Sequence, residues 1–511
     1  MNNAALGKPV APVVVLFIGL VTAAYLGTLI GGSETTTLLS IALGLLCVGV
    51  LAFVGNYWWA PLVLISALTF RTNFLGFMMT GIDIGVVVLA VLLPLKLAVR
   101  RLSPVEPPLK LGLTFQLLFA FVVTHAVVIV LYNKFQGVPL KNIVKAYYSV
   151  LAPLAFCWLL VRYCKPRTVR PVAFWTLATY TFVLAVSIPV IWFDLYLPLL
   201  NSRHFLFDWT YSGVAIGTGR SYGPILLAGM VAIWPAVRSP FGKAAVGIAL
   251  LIAMLGSLVS ASRVVISVCL VEIAVFCLLR RRFWVIAPLI VTVAVTTATI
   301  SNNPDVLYAV PTTIHRTLTP FNLSSHHTSI QNSTELSNEW HEDLRRESLT
   351  YWTSDLGAFV VGHGFKAWDE SLSNDPGFTR YYEDAKRLAV QMGRPENAVN
   401  SITNIFGLAG LLLYVAFLWQ LYRRLIRQWR TLQSATYAKS ICEFSIVTLV
   451  AYVLFSAWAG NIPGTNLIYF LLGLLVSRGK DARSSHRSRH EFTSTAGDLA
   501  NIGSPADAAL R

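Results

Sequence analysis

Charge is scarce in this chain: only 13% of its 511 residues are Asp, Glu, Lys or Arg, against 55% hydrophobic residues. A water-soluble globular fold needs more polar surface than that, so the soluble classes are excluded. Cysteine is sparse too. Cys47, Cys157, Cys164, Cys269, Cys277 and Cys442 all fall in or beside apolar runs, which indicates neither a disulfide framework nor a thiolate metal site. No glycine-rich nucleotide loop or dinucleotide fingerprint occurs, which argues against ATP or cytosolic nucleotide sugars as direct substrates. His326 and His327 are adjacent but have no further ligand at a metal-binding spacing, so no metal and no other cofactor is expected. No internal repeat is visible. The net charge of +16 resides in short connections and a basic tail, and signals no nucleic-acid partner.

What is present is a long series of apolar blocks of about 15 to 22 residues, the length that crosses about 30 Å of hydrocarbon. Candidate spans begin near Pro9, Thr37, Trp58, Ile82, Leu113, Tyr147, Pro171, Ser221, Ala244, Val264, Phe283, Ser401, Ile441 and Thr465. The first, Pro9 to Ile30, reads as a retained span rather than a cleaved signal. The expected fold is therefore an all-α polytopic integral membrane protein with about 12–14 transmembrane helices. Its expected parts are a first bundle section (1–300), a polar lobe (301–397), a last bundle section (398–477) and a disordered basic tail (478–511).

The lobe stands out. Ser301 to Asn397 holds more than half of the acidic residues and five of the nine histidines. Basic clusters set its side. Arg100, Arg101 and Lys110 form one, and Arg162, Lys165, Arg167 and Arg170 another. Arg238 with Lys243, Arg280 to Arg282, and Arg423, Arg424, Arg427 and Arg430 follow at every second connection. Lys134, Lys141 and Lys145 are the exception. The positive-inside rule then puts both termini in the cytoplasm and the lobe on the outer face, periplasmic in a bacterium.

Against that orientation, Arg71, Arg203, Arg220 and Arg263 lie at outer helix ends, where cations are least expected. Arg220 falls in the glycine-rich stretch Gly217 to Pro224, read as the start of a span, and Arg263 follows Ser262 in a short turn. Guanidinium groups beside serines and free helix N–H groups suit a phosphate or diphosphate. Each arginine can equally snorkel to lipid headgroups or cap a loop carbonyl. Glu272, mid-span, must be either protonated or paired. His125, Asp83, Asp194 and Glu443 suit interhelical hydrogen bonding more than a proton path.

Within the lobe, Arg316 stands close to the membrane surface. Arg345 and Arg346 lie on an expected amphipathic helix, Glu339 to Tyr351, with Trp340, Leu344 and Leu349 on one face. Gly362-His363-Gly364-Phe365 reads as a tight turn allowing close backbone approach, and His363 as a ligand, a base or a cap. At re-entry, Glu396 and Asn397 precede Gly407 and Gly410. Together they can accept a proton and orient a hydroxyl, or simply cap a helix.

These features resemble the O-antigen ligase and polymerase superfamily over about Gly213 to Leu475. The likeness is carried by Arg220, by Ser262-Arg263 before a long apolar run, and by Arg345/Arg346 with Trp352 and Gly362-His363-Gly364. Asn397, Gly407 and Gly410 complete it. The resemblance implies a polytopic inner-membrane glycosyltransferase whose substrate is a polyprenyl-diphosphate-linked oligosaccharide, with a chain-length regulator and a flippase as partners beside the bilayer. Ligases of that family have histidine where this chain has Glu396, whereas its polymerases vary the position. The expectation is thus a metal-independent inverting O-antigen or exopolysaccharide polymerase. Glu396, Arg263 and Arg220 would be catalytic. Arg345, Arg346, Arg316, Asn397, His363, Arg71 and Arg203 would bind diphosphate or glycan. The rival expectations are a ligase that transfers glycan to lipid A core, and a lipid-linked glycan flippase.

Overall fold

The computed structural model describes residues 70–74, 77–80, 111–136, 140–197, 205–310, 312–322, 329–365, 386, 389–390, 397–433, 436–459 and 469–476. Glu396, Arg203 and Asp83 lie outside them. The fold is that of an all-α polytopic membrane protein. Its principal helices are α1 (Leu113–Phe135), α2 (Lys141–Tyr163), α3 (Pro166–Trp192), α4 (Ser212–Ile233), α5 (Pro240–Leu258) and α6 (Arg263–Arg280). There follow α7 (Ile286–Asn302), α8 (Thr312–Leu318), α9 (Ser329–Trp352), α10 (Leu356–Val361), α11 (Ala398–Thr431) and α12 (Tyr437–Ala459). Among the described residues, six helices are long and apolar enough to cross a membrane. One small antiparallel sheet accompanies them. Its strand β1 (Phe70–Phe74) lies between β2 (Phe77–Thr80) and β3 (Phe205–Phe207), with Arg71 opposite Thr80 and Leu206.

The two ends of α12 mark the two faces of the bundle. Near Tyr437 the basic clusters converge. Arg170, at the start of α3, stacks its guanidinium 4.2 Å from the Tyr437 ring. Arg280, ending α6, bonds the Glu443 carboxylate at 2.7 Å and the Ala232 carbonyl at 3.0 Å. Trp429 Nε1 donates to the same carboxylate at 3.2 Å. The other end of α12 meets the lobe, where Asn397 Nδ2 donates to the Ala457 carbonyl at 2.7 Å. Four of the basic connections therefore share one end, and the lobe occupies the opposite one.

Small residues bring the central helices together, as they do where lipid supplies no hydrophobic drive between helices. A Cβ on Gly219 would stand 2.5 Å from the Gly256 carbonyl oxygen, and one on Gly223 would stand 2.4 Å from Ser257 Oγ. Tyr180 and Tyr222 stack beside this contact with ring centroids 4.1 Å apart.

Two expectations are corrected here. Gly217 to Pro224 is the interior of α4 and not a turn at a helix start, because the helix already begins at Ser212. Glycine and proline read as turn signals in water, but in a packed membrane helix they let backbones approach. The amphipathic lobe helix, α9, starts ten residues earlier than the pattern predicts. Leu344 is buried on it, whereas Leu349 is 56% exposed. Five residues is about 140° of helical turn, so Leu344 and Leu349 cannot share a face, and Ser348 takes the inward position.

Candidate anion and lobe-docking sites

Arg263 opens α6 after a four-residue connection from α5 in which Ala261 adopts φ 51°. The N-cap, Ser262, makes no side-chain capping bond, so the first N–H groups of α6 lack that partner. The half-buried Arg263 donates from Nη2 to Asn338 Oδ1 on α9 at 2.9 Å. Arg316 on α8 lies close enough to repel the Arg263 charge, and Arg316 itself is exposed. Two guanidinium groups thus come within electrostatic reach of each other near a helix N-terminus whose N-cap side chain makes no capping bond, on the lobe-bearing end.

Arg220 approaches this region differently. Gly219, its neighbour, packs against Gly256 and Ser260, and Ser260 is three residues before Arg263. Arg220 is exposed but stands eight residues, about 12 Å, into α4. Its surrounding N–H groups are spent within the helix. The expected anion cradle of glycine-turn amides does not exist there; only the charge remains.

Arg345 lies two turns beyond Asn338 on the same face of α9, about 10 Å along the axis, and Arg346 is turned about 100° away. Both are exposed, and Arg345 Nε reaches the His341 carbonyl at 3.3 Å. His315, next to Arg316, is 2% exposed, and burial lowers its pKa from the ordinary imidazole value.

His363 is elsewhere. Its Nε2 is 2.8 Å from the Tyr351 carbonyl and 3.2 Å from Ser354 Oγ, and its ring stacks on Tyr351 with centroids 4.0 Å apart. Tyr351 is thirteen residues beyond Asn338, about 20 Å along α9. Arg263 and His363 therefore belong to two sites, not one.

The second site is a docking contact. α11 is broken at Gly407, with φ 64° and ψ −168°, so carbonyls one turn earlier lose their helical donors. The lobe turn supplies replacements: His363 N–H donates to the Asn404 carbonyl at 2.8 Å and Gly364 N–H to the Ile405 carbonyl at 3.0 Å. Asn404 Nδ2 also donates to Ser348 Oγ on α9 at 2.6 Å. Asn397 caps α11, its Oδ1 accepting from Val399 N–H at 2.8 Å and Asn400 N–H at 3.3 Å. That is the capping alternative, present in full.

Two of the ionisable groups within or at the ends of the spans tie helices or their ends together. Glu443 pairs with Arg280, and Asp194 accepts from Ser212 Oγ at 2.5 Å. Glu272 is 2% exposed, and its Oε2 has no hydrogen-bond partner among the described residues. The backbone of Arg71 sits in β1. Sequence reasoning missed Asn338, because nothing in a polar stretch marks one asparagine as the partner of an arginine 75 positions earlier.

No family model matches the chain, and no curated protein matches it.

Proposed function

We propose that this protein is a glycosyltransferase that polymerises polysaccharide from polyprenyl-diphosphate-linked glycans, with its lobe on the periplasmic face of the inner membrane. The supporting observation is the Arg263–Arg316 pair beside the uncapped N-terminus of α6. Like charges held side by side gain nothing from each other, and a ligand carrying two or more negative charges offsets their repulsion. A diphosphate fits that demand, with N–H groups and guanidinium groups both aimed at phosphate oxygens.

In this reading the acceptor hydroxyl attacks the anomeric carbon of the donor as the bond to the diphosphate oxygen breaks. The hydroxyl proton passes to Glu396, and the leaving diphosphate keeps the electron pair. Arg263 and Arg316 stabilise the charge that develops on it. Arg220 adds positive potential from α4, and Arg345 faces the same rim from α9. Ligation to lipid A core uses the same donor chemistry with a different acceptor.

The test is glycan mass analysis in a deletion strain complemented with variants. Arg263→Ala and Arg316→Ala each lower polymer by about 10²- to 10³-fold at unchanged protein level, the cost of losing one leaving-group stabiliser. Single repeat units accumulate where polymerisation is lost, and unattached long chains where ligation is lost. Wild-type chain lengths from both variants overturn the reading.

A carrier reading is favoured by one observation, the broken α11, since interrupted helices line substrate paths in transporters. Protein in liposomes given lipid-linked oligosaccharide on the lobe side separates the two. An enzyme forms product there without translocation.

A further inference from the structure

The turn after α10 is bound on two sides. Broken α11 accepts its N–H groups, as described above. On the other side stand His125 of α1 and Tyr147 of α2, with Tyr147 Oη 2.9 Å from His125 Nδ1. His125 also lies within hydrogen-bonding reach of the Val361 backbone and Tyr147 of the Phe365 backbone, and the Tyr147 and Phe365 rings meet edge-on with centroids 4.9 Å apart. One proton arrangement satisfies every group. Phe365 N–H donates to the tyrosine oxygen, Tyr147 O–H to Nδ1, and His125 Nε2–H to the Val361 carbonyl. The relay begins and ends on the same five-residue turn.

The depth of these partners matters. Polar residues begin near Asn133 at the lobe end of α1. Counting back at the helical rise, Ile129 lies about 6 Å and His125 about 12 Å inside that level. A Cβ on Gly364 would stand 2.7 Å from Ile129 Cγ1, so the turn reaches this depth. On α11, Gly407 lies sixteen residues, about 24 Å, from Arg423, which is less than the hydrocarbon thickness. Both helices put the turn inside the outer edge of the apolar layer. Non-helical backbone survives there only when its polar groups are paired within the protein, and the α11 carbonyls take up the His363 and Gly364 N–H groups.

We infer that Leu356–Phe365 is a re-entrant segment, latched by the His125–Tyr147 relay and the break in α11, whose outer face contacts lipid acyl chains. Leu356 is 79% exposed, Val360 42% and Val361 44%. On α1, which the turn meets at Ile129, Val127, Val128 and Leu131 are exposed as well. No Asp, Glu, Lys or Arg lies between Asp355 and Phe365. The inference does not depend on glycosyl transfer.

Photocrosslinking of the full chain in phosphatidylcholine vesicles tests it. Val360→benzoylphenylalanine, Val128→benzoylphenylalanine on α1 and Glu342→benzoylphenylalanine on exposed α9 are compared. Phospholipid adducts form at 360 and 128 and not at 342. An adduct at 128 with none at 360 overturns the insertion. The latch is read separately by hydrogen exchange in Tyr147→Phe, where amides of Gly364 and Phe365 exchange at least tenfold faster than in wild type. Unchanged exchange at those amides overturns the latch.

Discussion

Gly362 and Gly407 occupy opposite sides of one backbone crossing. A Cβ on Gly362 would stand 2.3 Å from the Ile405 carbonyl oxygen, and a Cβ on Gly407 would stand 2.3 Å from that of Val360. Both residues have positive φ, 81° and 64°. Each is therefore glycine for two reasons, the backbone angle and the absence of space. Gly362→Ala and Gly407→Ala should each cost about 2–5 kcal/mol, summing left-handed strain and overpacking. Thermal unfolding in detergent reads this, and the double variant should cost less than the sum because one contact is broken twice.

The Arg280–Glu443 pair locks four helices at the end opposite the lobe. Its side chains are 19% and 7% exposed, so water does little to replace a lost partner. Glu443→Gln should destabilise by about 3 kcal/mol, the lower end for a broken buried pair, because the guanidinium stays behind uncompensated. Arg280→Met with Glu443→Leu should recover much of that loss. Chemical denaturation of the three proteins checks the order.

Asp355 caps α10 by accepting from Ala358 N–H at 2.7 Å. That bond, with the nearby His363 charge, lowers the pKa of its carboxyl. A lowered folded value means the cap contributes fully above the ordinary carboxylate range and is lost as pH falls through the lowered value. Hydrogen exchange of Leu356–Val361 should therefore accelerate on acidification. Asp355→Asn keeps an acceptor without a titrating proton, and should remove that acid dependence while leaving neutral-pH protection nearly intact.

Asn397 makes two kinds of bond with one amide, a cap through Oδ1 and a tie to α12 through Nδ2. Asn397→Ala should cost about 1–2 kcal/mol. Asn397→Asp retains the cap but turns an acceptor toward the Ala457 carbonyl, so it should rescue only part of the loss. Thermal unfolding separates the contributions. A loss of polymer from Asn397→Asp with unchanged Tm would instead mark a role at the substrate.

Much of the bundle was legible because apolar length and basic punctuation are one-dimensional signals. Leu113 and Ile441 mark span starts in the sequence, and α1 and α12, two of the helices long and apolar enough to cross a membrane, begin within four residues of them; α6 and α7 begin near Val264 and Phe283 but are not among those six. Convergence of Arg170 and Arg280 at one end follows from the same punctuation. The glycine turn at Gly362 was legible as a close approach, but not its destination, since a local pattern does not name a carbonyl forty residues later. The start of α4 was misread because glycine and proline carry opposite meanings in water and in a packed bundle. The pairing of β1 with β3 was invisible, since Arg71 and Leu206 meet across more than a hundred residues. The site divided for a related reason. Arg263 and His363 look like one constellation in a sequence, but the length of α9 keeps them apart.

A helix completed by a piece of chain made earlier imposes an order on biogenesis. The carbonyls of Asn404 and Ile405 find donors only in residues the ribosome has already released. The polar segment must therefore have folded back before α11 can settle. Any insertion machinery that releases α11 sooner exposes unpaired peptide groups to lipid.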